Sequence, residues 1–459
     1  MKNSTSMENI PQLNADETLR VLPHFAKGFG RRGSWLRSAL AALPETSRLM
    51  QIGYSFADQA LAVGGTFLAN VVLARTQTKE EYGMFALSYS VLPFLLGLYY
   101  AAILEPFTVY GAGRYRDRFS EYLRFMVQIN GLVALLLTLV MLLACLTLHW
   151  AAPQYLSRAL LGLGATVGVL LSGAFLRRVF YLQRQPALAA QASLIYFVTV
   201  AGALWLAAKA QLLNGFSVFV ILALGWTAAG LGLGWNLALG RSARSFPDSE
   251  PGYWREHWRY SKWVLATAVV IQFTSQGYYW LVAGFLSVKE VGDLRAAYNL
   301  VGPVDQIFIA LSFVVLPPLA SHYASNRMDK LLSLWRRYAI FNVAVMVLFI
   351  LGVLSMGKPA LHALYAGRFD HLAPLLLKLS LYQLVMAIAI TIVQALNALE
   401  RPKLVFYAFA SSGSATLLFG IPLVKHFGLP GAVYGMVLSG TTFAIALAIG
   451  FVSSLKRKA

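Results

Sequence analysis

Two acids stand inside long apolar stretches of this chain, Asp58 and Asp305. An ionisable group in hydrocarbon is costly and is a functional candidate by default. A carboxylate placed there can take up and release a proton or a small cation, the chemistry of a coupling site. Asp58 lies about nine residues into the first stretch, roughly 13 Å deep at 1.5 Å per residue. It shares a helical face with Gln51, Ser55, Ala62 and Gly65, a small and polar stripe. The plainer alternative is a carboxyl neutralised by burial or bonded to a neighbouring helix. Asp305 sits near the middle of the eighth stretch, beside Gln306 and three residues after Gly302. Structural hydrogen bonding is its alternative.

Basic residues suit a different chemistry, the gripping of phosphate oxygens. Arg177 and Lys378 lie within stretches and are candidates to bind an anionic substrate. Arg178, Arg75 and Arg295 stand at stretch ends, where snorkelling to lipid head groups explains a cation. Glu105 precedes Pro106 and is followed by Arg114, Arg116 and Arg118, so a local ion pair is expected. Three stripes of neutral polar groups complete the set: Gln59, Thr66 and Asn70; Gln272, Gln276 and Tyr279; Ser380, Gln383, Gln394 and Asn397. A sugar needs many such donors and acceptors plus aromatic faces. Helix–helix hydrogen bonding is the competing reading, at about 0.6 kcal/mol per bond. No catalytic constellation is visible. The seven histidines fall in loops, tail or stretch ends without a metal-binding spacing. No Gly-rich loop carries the Lys-Ser/Thr that would cradle nucleotide phosphates. The chain is not expected to be an enzyme or to need a cofactor or metal.

The elements that must position these groups are membrane helices. The chain is 58% hydrophobic and only 12% charged, about half the usual charged fraction, and its mean hydropathy is +0.62. Apolar runs of roughly 20 residues recur and are continuous, which excludes a β-barrel and requires helices. Twelve spans are expected, at about 49–73, 84–106, 124–148, 157–182, 187–208, 216–239, 262–286, 296–320, 337–357, 373–397, 404–425 and 431–453. The net charge of +19 is explained by topology rather than nucleic acid: roughly 28 Lys/Arg fall on cytoplasmic segments and roughly 9 outside. Both termini are then cytoplasmic. Residues 1–48 are expected to be a cytoplasmic tail in which Trp35, Leu36, Leu40 and Leu43 suit a short amphipathic helix. The polar stretch 240–261 is expected to link an N-terminal lobe, 49–239, to a C-terminal lobe, 262–453, with 454–459 a cytoplasmic tail. Cys145 is alone, so no disulfide forms within the chain.

Two internal echoes divide the spans six and six. Tyr82-Gly83 to Tyr89 and Pro93 repeats as Val291-Gly292 to Tyr298 and Pro303. Tyr181-Leu182-Gln183-Arg184-Gln185-Pro186-Ala187-Leu188 is echoed by Ala398-Leu399-Glu400-Arg401-Pro402-Lys403-Leu404, each a tight turn with a Pro starting the next helix. Copies of six spans keep one orientation, so their pseudo-two-fold axis lies along the membrane normal.

On these residues the chain resembles the polysaccharide transporter family, the Wzx-type flippases of lipid-linked oligosaccharides, relatives of the MATE exporters. Glu81-Tyr82-Gly83 with Phe85-Ala86-Leu87 looks like its first-half motif. Val291-Gly292, Ala296-Ala297-Tyr298 and Leu316-Pro317 look like the second. Asn397 to Lys403, followed by Phe427-Gly428-Leu429-Pro430-Gly431-Ala432, looks like its C-terminal pattern. The resemblance implies an all-α MATE-like fold and a bacterial inner-membrane location. It implies a cargo of undecaprenyl-pyrophosphate-linked oligosaccharide exported by alternating access, with membrane lipids, a polysaccharide polymerase and its co-polymerase as partners. It assigns ion coupling to Asp58, as MATE relatives use a first-span Asp. The family often has an acid in the seventh span, where this chain reads Gln276-Gly277-Tyr278-Tyr279. A cation-coupled antiporter of small molecules is the first rival, a membrane glycan polymerase or ligase the second.

Overall fold

The computed structural model describes residues 46–112, 115, 117–148, 153–234 and 252–456. The expected tail helix around Trp35, Arg114 and Arg116, and the linker up to residue 251 lie outside them. Contacts cluster into two units, residues 1–53 and 54–459, and the bundle described below is the second.

Among the described residues fourteen α-helices follow one another without a strand. They are α1 (Thr46–Thr76), α2 (Lys79–Tyr99), α3 (Glu105–Ala112), α4 (Phe119–Leu148), α5 (Gln154–Leu182), α6 (Pro186–Lys209) and α7 (Gly215–Leu233). The second half contributes α8 (Gly252–Phe285), α9 (Val288–Val301), α10 (Pro303–Ala324), α11 (Met328–Tyr365), α12 (Ala373–Ala398), α13 (Pro402–Ala415) and α14 (Ile421–Lys456). Single π turns, Tyr100–Leu104 and Thr416–Gly420, join α2 to α3 and α13 to α14.

Ten segments are long and apolar enough to cross a membrane. Two physical facts reconcile ten with twelve. The segment Pro402–Lys456 is 55 residues long, about 80 Å at 1.5 Å per residue, against a hydrocarbon core of about 30 Å. It folds back at Gly428, whose φ of 63° is open to glycine. Ser412 then donates to the Ser439 carbonyl, and Gly420 meets Gly435, so its arms run antiparallel. The remaining crossing is α8, whose apolar part carries Gln272, Thr274, Ser275, Gln276, Tyr278 and Tyr279, and these lower its hydropathy.

Residues 252–261, expected as linker, are therefore helix. They dock on the first half: Tyr115 donates to Glu256 Oε2 at 2.5 Å, Tyr260 to Glu105 Oε1 at 3.2 Å, and Ser261 to the Ala102 carbonyl at 2.8 Å. Glu105 thus accepts from a tyrosine hydroxyl, and among the described residues Arg118 pairs with Glu121 at 2.8 Å. His257 is buried among Tyr110, Phe125 and Tyr253 and shares a hydrogen bond with the Tyr122 hydroxyl. Burial pushes its imidazole down to about 4, with adjacent Glu256 opposing. The unfolded value is higher, about 6.5, so between the two the unfolded chain binds more protons and stability rises with pH. Acidification from pH 6.5 towards 4.5 is expected to cost up to about 1 kcal/mol per pH unit. His257→Gln, melted in detergent across that range, should show a shallower loss than the parent.

The repeats are structural. Arg184 and Glu400 both take φ of 58°. The following amides, of Gln185 and Arg401, bond back to Phe180 and Leu396 carbonyls at 2.9 Å each. Pro186 and Pro402 then open α6 and α13, where a missing N–H costs nothing. Gly83 and Gly292 pack against each other. A Cβ built on Gly292 lies 3.2 Å from Gly83 Cα, and one on Gly83 overlaps the Val288 carbonyl. Equivalent residues meeting face to face place the pseudo-axis between them. Glu80 and Lys289, each three residues before its glycine, carry opposite charge and pair at 2.6 Å. The turn after α11 ties the same end: Arg368 donates to the Ala74 and Arg75 carbonyls, and His371 and Lys79 meet Asp293. Gly83→Leu is expected to force α2 and α9 apart and cost about 1–3 kcal/mol. Gly131→Leu, where a Cβ meets nothing, is the control in the same melting experiment.

Candidate functional site

Four helices converge on the pseudo-axis: α1, α2, α8 and the pair α9–α10. Helix α1 runs antiparallel to α9–α10 along two levels. At one, Arg295 Nε donates to Asn70 Oδ1 at 3.4 Å. At the other, Gln59 Nε2 donates to Gln306 Oε1 at 2.9 Å. The levels are eleven residues apart on each strand of the seam, about 16 Å.

Asp58, expected to couple ions, and Arg177, expected to bind substrate, are partners. Arg177 reaches from α5 and forks onto the carboxylate, Nε to Oδ1 at 2.9 Å and one terminal nitrogen to Oδ2 at 2.7 Å. Tyr181 donates to Oδ2 at 2.7 Å and Ser193, from α6, to Oδ1 at 2.5 Å. Asp58 is wholly buried. Four donors converge on two oxygens, so a cation arriving there has to displace Arg177. The same terminal nitrogen also donates to Gln59 Oε1 at 2.9 Å. Through Gln59 this ion pair is tied to Gln306 and so to the second half.

Asp305 stands in a different environment. Its Oδ2 accepts from Gln383 at 2.9 Å and from the Tyr298 hydroxyl at 3.3 Å. Both donors are neutral, and no basic side chain pairs with it among the described residues. Gln383 is buried on α12.

Arg295, taken from the sequence as an end-of-helix cation, is inside. It lies 4.2 Å from the centroid of the Tyr89 ring on α2 and 5.9 Å from that of Tyr279 on α8, and hydrogen-bonds Asn70. All four central helices therefore touch one guanidinium. Ring faces and an amide hold it by weak attraction, and among the described residues no carboxylate neutralises it. At the spacing of the glycine repeat its counterpart in the first half is Ala86, a buried small residue. That correspondence was the available signal: an arginine aligned with a core alanine is inside the bundle.

The remaining expected residues divide. Gln272 packs on Gly97 of α2, and Gln276 leaves its buried Oε1 without a hydrogen bond, so the α8 stripe faces α2 and the central region. Gln394 is buried eleven residues beyond Gln383. Lys378 leaves the set: it donates to the Tyr434 hydroxyl at 2.7 Å and lines a lateral groove between α12 and α14, away from the four central helices. Arg178 lies over the Tyr100 ring at 5.6 Å. Among the described residues no three His, Cys, Asp or Glu side chains gather as metal ligands.

No family profile matches the chain, and neither does any curated protein. Solved structures do. An inward-facing multidrug resistance MATE family transporter of the MOP superfamily is similar with a TM-score of 0.73 and 11% identity, covering 88% of this chain and 98% of that one. A MOP superfamily transporter from Pyrococcus furiosus follows at 0.64 and 9%, covering 89% and 94%. A Vibrio cholerae MATE transporter gives 0.61 and 14%, covering 90% and 99%. The chain is a multi-pass membrane protein with the MATE fold, all-helical among the described residues.

Proposed function

We propose that this chain is a flippase for an anionic lipid-linked oligosaccharide, an undecaprenyl-pyrophosphate glycan moved from the cytoplasmic to the outer leaflet of a bacterial inner membrane. The observation that carries the reading is the central, uncompensated Arg295. An exporter of cations wants an acidic centre, whereas a pyrophosphate wants a cationic one. The only other inward arginine of the candidate set, Arg177, is neutralised by Asp58. The glutamines and tyrosines beside Arg295 are donors and acceptors suited to sugars. For the Pyrococcus furiosus neighbour, reverse polarity of the binding pocket suggests a different function, so the fold is compatible with a changed cargo charge.

Transport proceeds by rocking of the halves, 49–239 and 262–453, about the shared pseudo-axis. The contact of Gly83 with Gly292 and the Glu80–Lys289 pair form the gate at the outer face, and the lipid tail stays in the bilayer. The decisive measurement is flipping of a fluorescent pyrophosphate-linked glycan in proteoliposomes, with a neutral lipid-linked glycan as comparison. Selective movement of the charged cargo supports the reading; equal movement of both, or of neither, ends it.

Coupling rests with Asp305 rather than Asp58, because only Asp305 has a carboxylate without a fixed cation. Asp305→Asn is expected to remove the response of flipping to an imposed proton or sodium gradient, slowing driven transport about tenfold, while cargo still binds. An undiminished gradient response in that variant assigns coupling elsewhere. The same acid is what favours the second reading, a cation-coupled small-molecule antiporter. Drug-susceptibility profiles in a pump-deficient host separate the two, since only the antiporter should confer resistance.

A further inference from the structure

Two cavities, about 270 and 260 Å³, lie end to end along α12 and the second arm of α14 and share Thr441. Lys378 opens the first, and Ile392 lies in the second. The fourteen helical steps from Lys378 to Ile392 on α12 make a groove about 21 Å long, two-thirds of a hydrocarbon core of about 30 Å. Beyond Lys378 its α12 wall is apolar, built on Leu381, Val385 and Ile388; Leu438 and Ile445 face them from α14. Leu381, Ile388, Leu438 and Ile445 are exposed on the bundle. The groove therefore opens to lipid.

Its polar end is built differently. Lys378 Nζ donates to the Tyr434 hydroxyl at 2.7 Å and lies 4.7 Å from the centroid of that ring. No carboxylate pairs with it among the described residues. An ammonium has three donors, so two remain for further oxygens. Lys378 is the sixth residue of α12, the depth at which lysine and tyrosine meet the head-group region.

At the equivalent level of the first half the two helices touch. Pro186 matches Pro402 and Gly215 matches Gly431 at one offset, which sets Gly162 against Lys378 and Val218 against Tyr434. Gly162 lies directly on α7: a Cβ there would come within 2.8 Å of Phe216 Cα. A glycine closes one seam where two long side chains hold the other apart.

We propose that this groove binds an anionic phospholipid of the surrounding bilayer, its phosphate on Lys378 and one acyl chain laid along Leu381, Val385 and Ile388. The occupant is a phospholipid rather than a glycan because beyond Lys378 the walls present one hydroxyl, Thr441, whose hydrogen goes to the Val437 carbonyl, where a sugar needs many donors and acceptors. The assignment holds whatever the central site carries.

The test is native mass spectrometry of the full chain, delipidated in neutral detergent and titrated with phosphatidylglycerol, phosphatidylcholine or undecaprenyl phosphate. Phosphatidylglycerol is expected to bind about fivefold tighter than phosphatidylcholine, the value of one interfacial cation. Lys378→Met, which keeps the stem, should bring that ratio to about one, and Lys378→Arg should preserve it. Ile388→Trp, which fills the groove, should weaken both phospholipids while gel filtration stays monodisperse. Equal binding of the two phospholipids by the parent overturns the proposal, as does a preference that survives Lys378→Met. Displacement of phosphatidylglycerol by equimolar undecaprenyl phosphate also overturns it, since the groove would then belong to a prenyl tail.

Discussion

Arg295→Ala is expected to slow flipping of a pyrophosphate-linked glycan by about ten- to a hundredfold. The estimate follows from the charge-assisted hydrogen bonds lost to the phosphate, each worth about 1.5–3 kcal/mol. Among the described residues Arg295 has no acidic partner to strand, so its removal leaves no buried counter-charge there and the fold should survive. The variant loses the attraction to the rings of Tyr89 and Tyr279, about 0.5–2 kcal/mol, visible as a small drop in melting temperature. Arg295→Gln, which fills the space and can still bond Asn70, should melt like the parent yet flip like the alanine variant. Arg295→Lys should fall between them, because a point charge replaces a planar fork. Flipping by Arg295→Ala at the parental rate would remove the basis for an anionic cargo.

The second large effect is on stability. Asp58→Ala and Arg177→Ala, taken singly, should each cost about 3–5 kcal/mol, since each strands an uncompensated charge in a low-dielectric interior. In Asp58→Ala the guanidinium keeps only Gln59. In Arg177→Ala the carboxylate keeps Tyr181 and Ser193, so the loss should be the smaller of the two. Asp58→Asn with Arg177→Met removes both charges and should recover most of the loss. A double-mutant cycle on melting temperature and membrane yield measures the coupling. Single variants that melt with the parent would deny the pair a structural role and return Asp58 to the list of exchangeable ion sites.

These expectations differ from those the residues invite in isolation. Asp58 is the more conspicuous acid in the sequence, deep in the first span on a polar stripe. Its partner lies 119 residues away, and nothing in local periodicity brings the two together. The reverse holds for Arg295. Six residues before it, Lys289 is indeed an exposed end-of-helix charge. Two turns of helix carry the chain from the rim to the axis, a distance that span prediction cannot resolve because boundaries err by a few residues. For Lys378 the place on α12, the sixth residue of the helix, is legible in the sequence, but which side of α12 meets the other half is not.

What the sequence by itself determined is the class and the symmetry. Apolar runs with no water to satisfy the backbone must be helices. The two echoes reappear as matched turns at Arg184 and Glu400 and as the contact of Gly83 with Gly292, because backbone conformation and close approach depend on local residue type. The tertiary structure decided which polar groups neutralise one another. Asp58 was matched with Arg177, Asp305 was left to neutral donors, and Arg295 was set among rings without an acid. Charge pairing depends on distances of a few ångströms between helices remote in sequence, and Coulomb energy in a low dielectric makes those distances decisive.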